Sequence, residues 1–239
     1  MTEQHARHHP SGAAQRVCVL HTVAALPAVF DPLLREEAPN VHAYHMVDES
    51  LLADTVAHGP LPRTWARLAS HLTHAEAAGA RAVLVTCSSI GPAAEAARPL
   101  LGIPVYRVDE PMAAEAVGIG PRIGVLATLE STLRPTAELI GRRAERTGAG
   151  ITLTTSTCDG AFQARSEGRP EEHDRLIAAE ALRLAADHDV LVLAQASMAA
   201  AVGTLPGGSL PIPVLTSPRS GTAQLACLAH DPTPRGEAP

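Results

Sequence analysis

The chain has 239 residues, 46% of them hydrophobic and 18% charged, with a net charge of -6 and a mean hydropathy of +0.06. That length suits one large domain or two small ones and buries a core without staples. The acidic balance argues against a phosphate-backbone binder, the sparse aromatics (1 Trp, 2 Tyr, 2 Phe) against base stacking, and the lack of any apolar run of about 18 residues against a membrane span.

Residues 1–15 show no periodicity and read as a disordered leader, polar and without a secretory signal. His5, His8 and His9 in this leader lack zinc-ligand spacing, so no metal is expected. Cys18, Cys87, Cys158 and Cys227 are too far apart for a zinc ribbon or a CxxC motif. They read as reduced thiols of a cytoplasmic protein.

Short apolar runs follow in order: 16–20, 41–47, 82–85, Val105 with its neighbours, 123–126, 190–193 and 213–215. They predict buried strands. Helical patterns lie between them, as at 63–78 and 171–188. Buried strands alternating with helices predict an α/β fold with parallel sheets. The segment 217–229 reads as a helix returning to the start of the fold, and 230–239 as a tail.

The chain also repeats itself. RVCVLHT (16–22) resembles RIGVLAT (122–128), VLVTCSS (83–89) resembles VLVLAQAS (190–197), and GIPV (102–105) resembles PIPV (211–214). The order is kept, at offsets of 106, about 108 and 109. Two pseudo-symmetric lobes follow, 16–115 and 116–216, each a parallel sheet flanked by helices, with the active site between them. Ligands of parallel α/β sheets bind beyond the carboxyl ends of the strands. The residues that follow the strands are therefore the candidates.

Cys87 leads them. It follows a buried strand, in Thr86-Cys87-Ser88-Ser89, just before a helix. Backbone N–H groups and the positive helix end favour a thiolate there, so Cys87 is expected to alkylate well below about pH 8. His21 follows the first strand and is a candidate acid, base or carboxylate partner, or a satisfied loop histidine. Thr22, Thr86, Ser88, Ser89, Thr128 and Thr132 are hydroxyls at strand ends, suited to an anion cradle or to helix capping. Gln195, with Ala196 and Ser197, offers an amide for a carboxylate or carbonyl. Asp48 could orient a base or bind an amino group, or cap a helix, and Asp109 before Glu-Pro looks like such a cap. Arg219 reads as a surface ion pair, Cys18 and Cys227 as core thiols, and the low aromatic count suggests a polar pocket.

Several of these stretches resemble the aspartate/glutamate racemase superfamily: TCSS after the first-lobe strand, the matching second-lobe loop, ATLEST (127–132), Gly160-Ala161-Phe162-Gln163-Ala164, Gly168 and His173-Asp174. That superfamily includes amino-acid and hydantoin racemases, maleate isomerase and arylmalonate decarboxylase. The resemblance implies no cofactor, a small carboxylate substrate, a homodimer, and two cysteines on opposite faces of the substrate's α-carbon. Cys87 occupies the first cysteine position; the second falls at Gln195, or at Ala194 with a shift of one, and neither moves protons. Cys158 is the remaining second-lobe candidate for a substitute. The expected enzyme is an isomerase, a racemase or epimerase or else a cis–trans isomerase, working through Cys87 as its single active-site cysteine, with His21 as the other catalytic candidate. A decarboxylase of the same superfamily, a non-catalytic small-acid binder and a cysteine hydrolase using His21 are the alternatives.

Overall fold

The computed structural model describes residues 15–203 and 205–230. The leader through residue 14, with His5, His8 and His9, lies outside the described residues, as do residues 231–239 of the tail. The first half runs β1 (Gln15–His21), α1 (Leu26–Glu37), β2 (Val41–Val47), α2 (Glu49–His58), α3 (Pro62–Ala77), β3 (Ala82–Val85), α4 (Gly91–Ala97) and β4 (Val105–Arg107). The second runs α5 (Glu110–Ile119), β5 (Arg122–Ala127), α6 (Glu130–Thr147), β6 (Thr152–Thr157), α7 (Ala161–Ser166), α8 (Pro170–Ala185), β7 (Val190–Leu193), α9 (Ala199–Gly203), β8 (Val214–Thr216) and α10 (Ser217–Ala223).

Two four-stranded parallel sheets result, ordered β2-β1-β3-β4 and β6-β5-β7-β8. Their registers correspond: Leu20 pairs with Val85 in one, Leu126 with Leu193 in the other. The central tetrapeptides AVLV and VLVL are wholly buried because helices cover both faces. The Thr-rich β6, by contrast, is an edge strand with partly exposed residues.

Alternation along the strands builds two cores per sheet. In the first sheet, Cys18, Leu20, Val83 and Val85 pack on Leu51, Leu68 and Leu72 of α2 and α3. On its other face, Val17, Val19 and Leu84 meet Phe30 and Leu34 of α1. In the second sheet, Ile123, Val125 and Val192 face α5 and α6, while Leu126, Leu191 and Leu193 face α8. Met112, Ala113 and Ala116 of α5 belong to the second core, so the cover of the second sheet begins at Glu110, ahead of the 115–116 boundary that the repeat suggests.

The last segment turns back. α10 packs on α1, and Leu225 and Leu228 of the final 3-10 turn (Gln224–His230) join the α1 face of the first sheet. Gly221 permits this approach, since a Cβ there would stand 2.4 Å from the Val108 carbonyl oxygen. Arg219 adds surface ion pairs to Glu36 and Glu37, which contribute little. Cys227 in this turn is exposed, not core as its sequence context suggests. Leu225 is fully buried, so Leu225→Ala is expected to lower stability by about 2–5 kcal/mol in urea unfolding.

Candidate active site

β3 and β7 both end in a residue pair followed by a one-turn 3-10 helix, Ser88–Ile90 in the first lobe and Ala196–Met198 in the second. Cys87 (φ -120°, ψ 114°) and Gln195 (φ -122°, ψ 136°) hold the same place and nearly the same backbone conformation before their turns. The two turns meet across a cavity of about 600 Å³ between the sheets. Ser88 Oγ donates to the Ala194 carbonyl at 3.3 Å, and Ser89 Oγ lies 2.8 Å from Thr132 Oγ1. These two contacts tie the lobes together at the floor of the site.

Thr22, Thr86, Cys87, Ser88, Ser89, Thr128, Thr132, Gln195, Ala196 and Ser197 all line this cavity. Gln195 is fixed by the end of β5: its Oε1 accepts from Thr128 N–H at 2.6 Å and from Thr128 Oγ1 at 2.8 Å. This leaves the Gln195 amide N–H₂ as a donor at the cavity wall. Thr22 is the first-lobe counterpart of Thr128, and its buried Oγ1 lies on the cavity wall, where it bears on the Cys87 thiol. A hydroxyl on a cavity wall beside the thiol is also placed to meet a ligand.

Two sequence candidates do not reach the cavity. His21 is fully buried under α1, with Nδ1 2.9 Å from Thr86 Oγ1 and Nε2 2.7 Å from His45 Nδ1. Its position in the strand, odd like Val17 and Val19, turns it to the α1 face. Burial, with help from His45, holds it down at about 4, so it is neutral near pH 7. It cannot touch a substrate in this cavity. Asp48 caps α2, accepting from Ser50 N–H at 3.0 Å, and contacts His71 at 2.8 Å. Burial pushes its carboxyl up, but the hydrogen bonds from Ser50 and His71 outweigh it and hold the group below the usual range.

The other expectations resolve in the same way. Asp109 makes no cap hydrogen bond and is paired with buried Arg107 instead. His173 is buried in α8 with Nδ1 2.7 Å from Asp174 Oδ1, away from the cavity. Cys158 is buried in the α8 core and burial pushes its thiol up to about 11; Cys18 is likewise at about 11. Neither replaces a second cavity thiol.

Cys87 also departs from expectation. Burial raises its pKa above the ordinary thiol range. The Thr22 hydroxyl, the backbone N–H groups of Ile90 and Ser89 and the Ser89 hydroxyl all act in the opposite direction, but burial wins. The turn therefore supplies the thiolate-stabilising groups that the sequence suggests, yet the thiol stays protonated near neutrality.

The family model of Asp/Glu/hydantoin racemases matches residues 20–225. The chain belongs to this family. Among solved structures, a glutamate racemase from Bacillus anthracis is similar at a TM-score of 0.68 and 16% identity, covering 90% of this chain and 82% of that one. An allantoin racemase from Klebsiella pneumoniae gives 0.66 and 16%, over 90% and 87%. The Picrophilus torridus aspartate racemase gives 0.68 and 11%, over 90% and 94%. At these identities the likeness is one of fold. No curated protein matches the chain.

In this racemase-family chain the outer cavity wall is apolar, contrary to the polar pocket suggested by the low aromatic count. Leu26 and Val29 of α1, Leu52 and Val56 of α2, and Phe162 of α7 supply it. Val29, Val56 and Phe162 are exposed, at 43%, 41% and 38%. Two charged side chains, Glu49 and Arg165, stand among them. Glu49 accepts from Ala24 N–H at 3.0 Å. Apart from Phe162, which lies in a stretch resembling the racemase superfamily, the sequence does not single out these residues, because apolar positions on amphipathic helices look like core. Among the described residues no cluster could hold a metal ion, and no helix is long and apolar enough to cross a membrane.

The thiol environments predict a labelling order. Exposed Cys227 should react first with iodoacetamide, Cys87 slowly at pH 7 and faster as pH rises, and Cys18 and Cys158 not at all in the native state. Peptide mass mapping after timed alkylation checks it.

Proposed function

We propose that the chain is an isomerase of the racemase superfamily that forms and reprotonates a carbanion next to a carboxylate or carbonyl, with Cys87 as its single cavity thiol and no cofactor. The observation that carries this reading is the placement of Cys87 among thiolate-stabilising groups on the floor of the inter-lobe cavity, opposite Gln195. The substrate carboxylate would sit between the Thr22 hydroxyl, the Gln195 amide and the helix-turn N–H groups of both lobes. Such donors also stabilise the enolate oxygen that develops as the α-proton leaves. Arg165 at the lip offers a second contact for an anion. The apolar outer wall fits a substrate whose α-carbon carries a hydrocarbon substituent.

In the forward step the Cys87 thiolate takes the α-proton, and the C–H electron pair moves into the enolate. The thiol then returns a proton to the same carbon after the planar intermediate has turned. A second reading, decarboxylation, is favoured by one observation: the groups opposite Cys87 are an amide and hydroxyls, none of which exchanges protons at a useful rate. There the carboxylate leaves as CO₂, its electron pair passes to the α-carbon, and the Cys87 thiol donates the proton.

The test is proton NMR in D₂O with a panel of amino acids, hydantoins, maleate, substituted malonates, and hydroxy or keto acids. Deuterium at an α-carbon with retention of the carboxylate supports the isomerase; loss of CO₂ supports the lyase. An absence of turnover with every compound, alongside saturable binding of one of them, would replace both with a small-acid binder. Gln195→Ala is expected to raise KM by roughly 10-fold, the loss of one hydrogen bond worth about 1.5 kcal/mol.

A further inference from the structure

Behind the cavity wall a chain of side chains runs from the surface to Thr86. Asp31 of α1, about half exposed, lies 3.0 Å from His45 Nε2. His45 Nδ1 lies 2.7 Å from His21 Nε2, and the two rings stack with centroids 5.0 Å apart. His21 Nδ1 lies 2.9 Å from Thr86 Oγ1, which is itself 3.1 Å from the Leu20 carbonyl oxygen. Phe30 covers the His21 ring from α1. Thr86 is on the cavity wall, next to Cys87 in sequence.

Counting protons leaves two arrangements. A neutral imidazole has one donor and one acceptor; an imidazolium has two donors; an ionised carboxylate only accepts. With both histidines neutral, His45 donates from Nε2 to Asp31. Its Nδ1 must then accept from His21 Nε2–H, and His21 Nδ1 accepts from the Thr86 hydroxyl. With one more proton on His45, both its nitrogens donate. His21 Nε2 must then accept, its own proton sits on Nδ1 and is donated to Thr86 Oγ1, and the Thr86 hydroxyl proton turns to the Leu20 carbonyl.

We propose that Asp31, His45 and His21 form a one-proton switch, in which proton uptake at His45 reverses the His45–His21 and His21–Thr86 hydrogen bonds and redirects the Thr86 hydroxyl beside Cys87. The added charge resides on His45, the ring with a carboxylate partner, because burial keeps His21 neutral. The groups that face the chain are Asp31 from α1 and His21 from β1; Cys227, in the final turn that packs on β2, donates to the Gln224 carbonyl. Asp48, at the end of β2, is taken up by Ser50, His71 and Arg67. Switching on the chain brings a cation behind the cavity wall, which favours the Cys87 thiolate. His21 and His45 are positioning residues on this account. The inference needs only the Thr86–Cys87 wall, and so stands apart from the reaction assigned to the cavity.

The experiment is ¹⁵N NMR of the histidine rings of the intact protein, titrated across about pH 5–8, where histidine changes charge. His21 should change from the Nε2–H to the Nδ1–H tautomer as pH falls, at the same midpoint at which His45 becomes doubly protonated. In Asp31→Asn that midpoint should fall by up to about 1 pH unit, because the lost carboxylate favoured the imidazolium. On a Cys227→Ser background, the pH profile of Cys87 alkylation should show an inflection at the same midpoint, absent from His45→Gln. If His21 keeps one tautomer throughout, or ionises itself, the switch is overturned. A tautomer change that Cys87 alkylation does not register would overturn its link to the site. Should His45→Gln fail to fold, the wild-type tautomers and Asp31→Asn still decide.

Discussion

Cys87→Ser is expected to slow α-carbon exchange or decarboxylation by roughly 10²–10⁴-fold, the usual contribution of a positioned acid or base. Serine keeps the shape of the side chain and can still bond to Thr22, Ser89 and the turn N–H groups. Its hydroxyl, however, releases no proton near neutrality. Because the change is nearly isosteric, thermal unfolding should move little, and the activity loss would then belong to the thiol. Turnover surviving in Cys87→Ser would show that another group carries the proton.

The pH dependence separates the two proposed chemistries. Burial raises the Cys87 pKa, so the free enzyme near neutrality holds the thiol. If a thiolate must take the α-proton, kcat/KM climbs with pH until the raised pKa is passed. If the thiol must donate, kcat/KM is level near neutrality and falls through that same pKa. The profile of one substrate, measured in wild type, therefore distinguishes base from acid.

The parts of this molecule that were legible in the sequence are those fixed by local pattern. AVLV and VLVL read as buried strands, since such short, fully apolar runs need cover on both faces, and both are interior strands of their sheets. The sequence leaves Gln195 or Ala194 as the counterpart of Cys87, and the matching dihedrals of Cys87 and Gln195 select Gln195. What was not legible depends on distant partners. His21 is 65 residues from Thr86 and 24 from His45, and only the strand order β2-β1-β3 brings the three side chains into line. The apolar rim arises because the first turns of α1 and α7 and one face of α2 border the cavity, where a valine or phenylalanine that would be buried elsewhere is left at its mouth.

Asp109 shows the same limit and leads to the largest expected stability effect. An aspartate before Glu-Pro has the sequence of a helix cap. Arg107 ends β4 and Asp109 sits in the turn just before α5, however, and that turn carries the carboxylate back onto the guanidinium. Arg107 Nε and Nη2 donate to the two Asp109 oxygens at 2.9 and 2.7 Å, and Nη1 donates to Glu95 at 2.8 Å. Both Arg107 and Asp109 side chains are 1% exposed. Gly91 makes the room: a Cβ there would lie 2.4 Å from Arg107 Cζ. A guanidinium taken out of water holds its charge only while its anions remain, and pairing with Asp109 and Glu95 raises the Arg107 pKa against the effect of burial. Asp109→Ala strips away one of those anions, and stability should fall by about 3–5 kcal/mol in urea unfolding. Arg107→Met combined with Asp109→Ala should recover much of that loss, because it removes the stranded charge and refills part of the volume. A double variant as unstable as Asp109→Ala would mean that the packing between β4 and α5, not the buried charge, sets the effect.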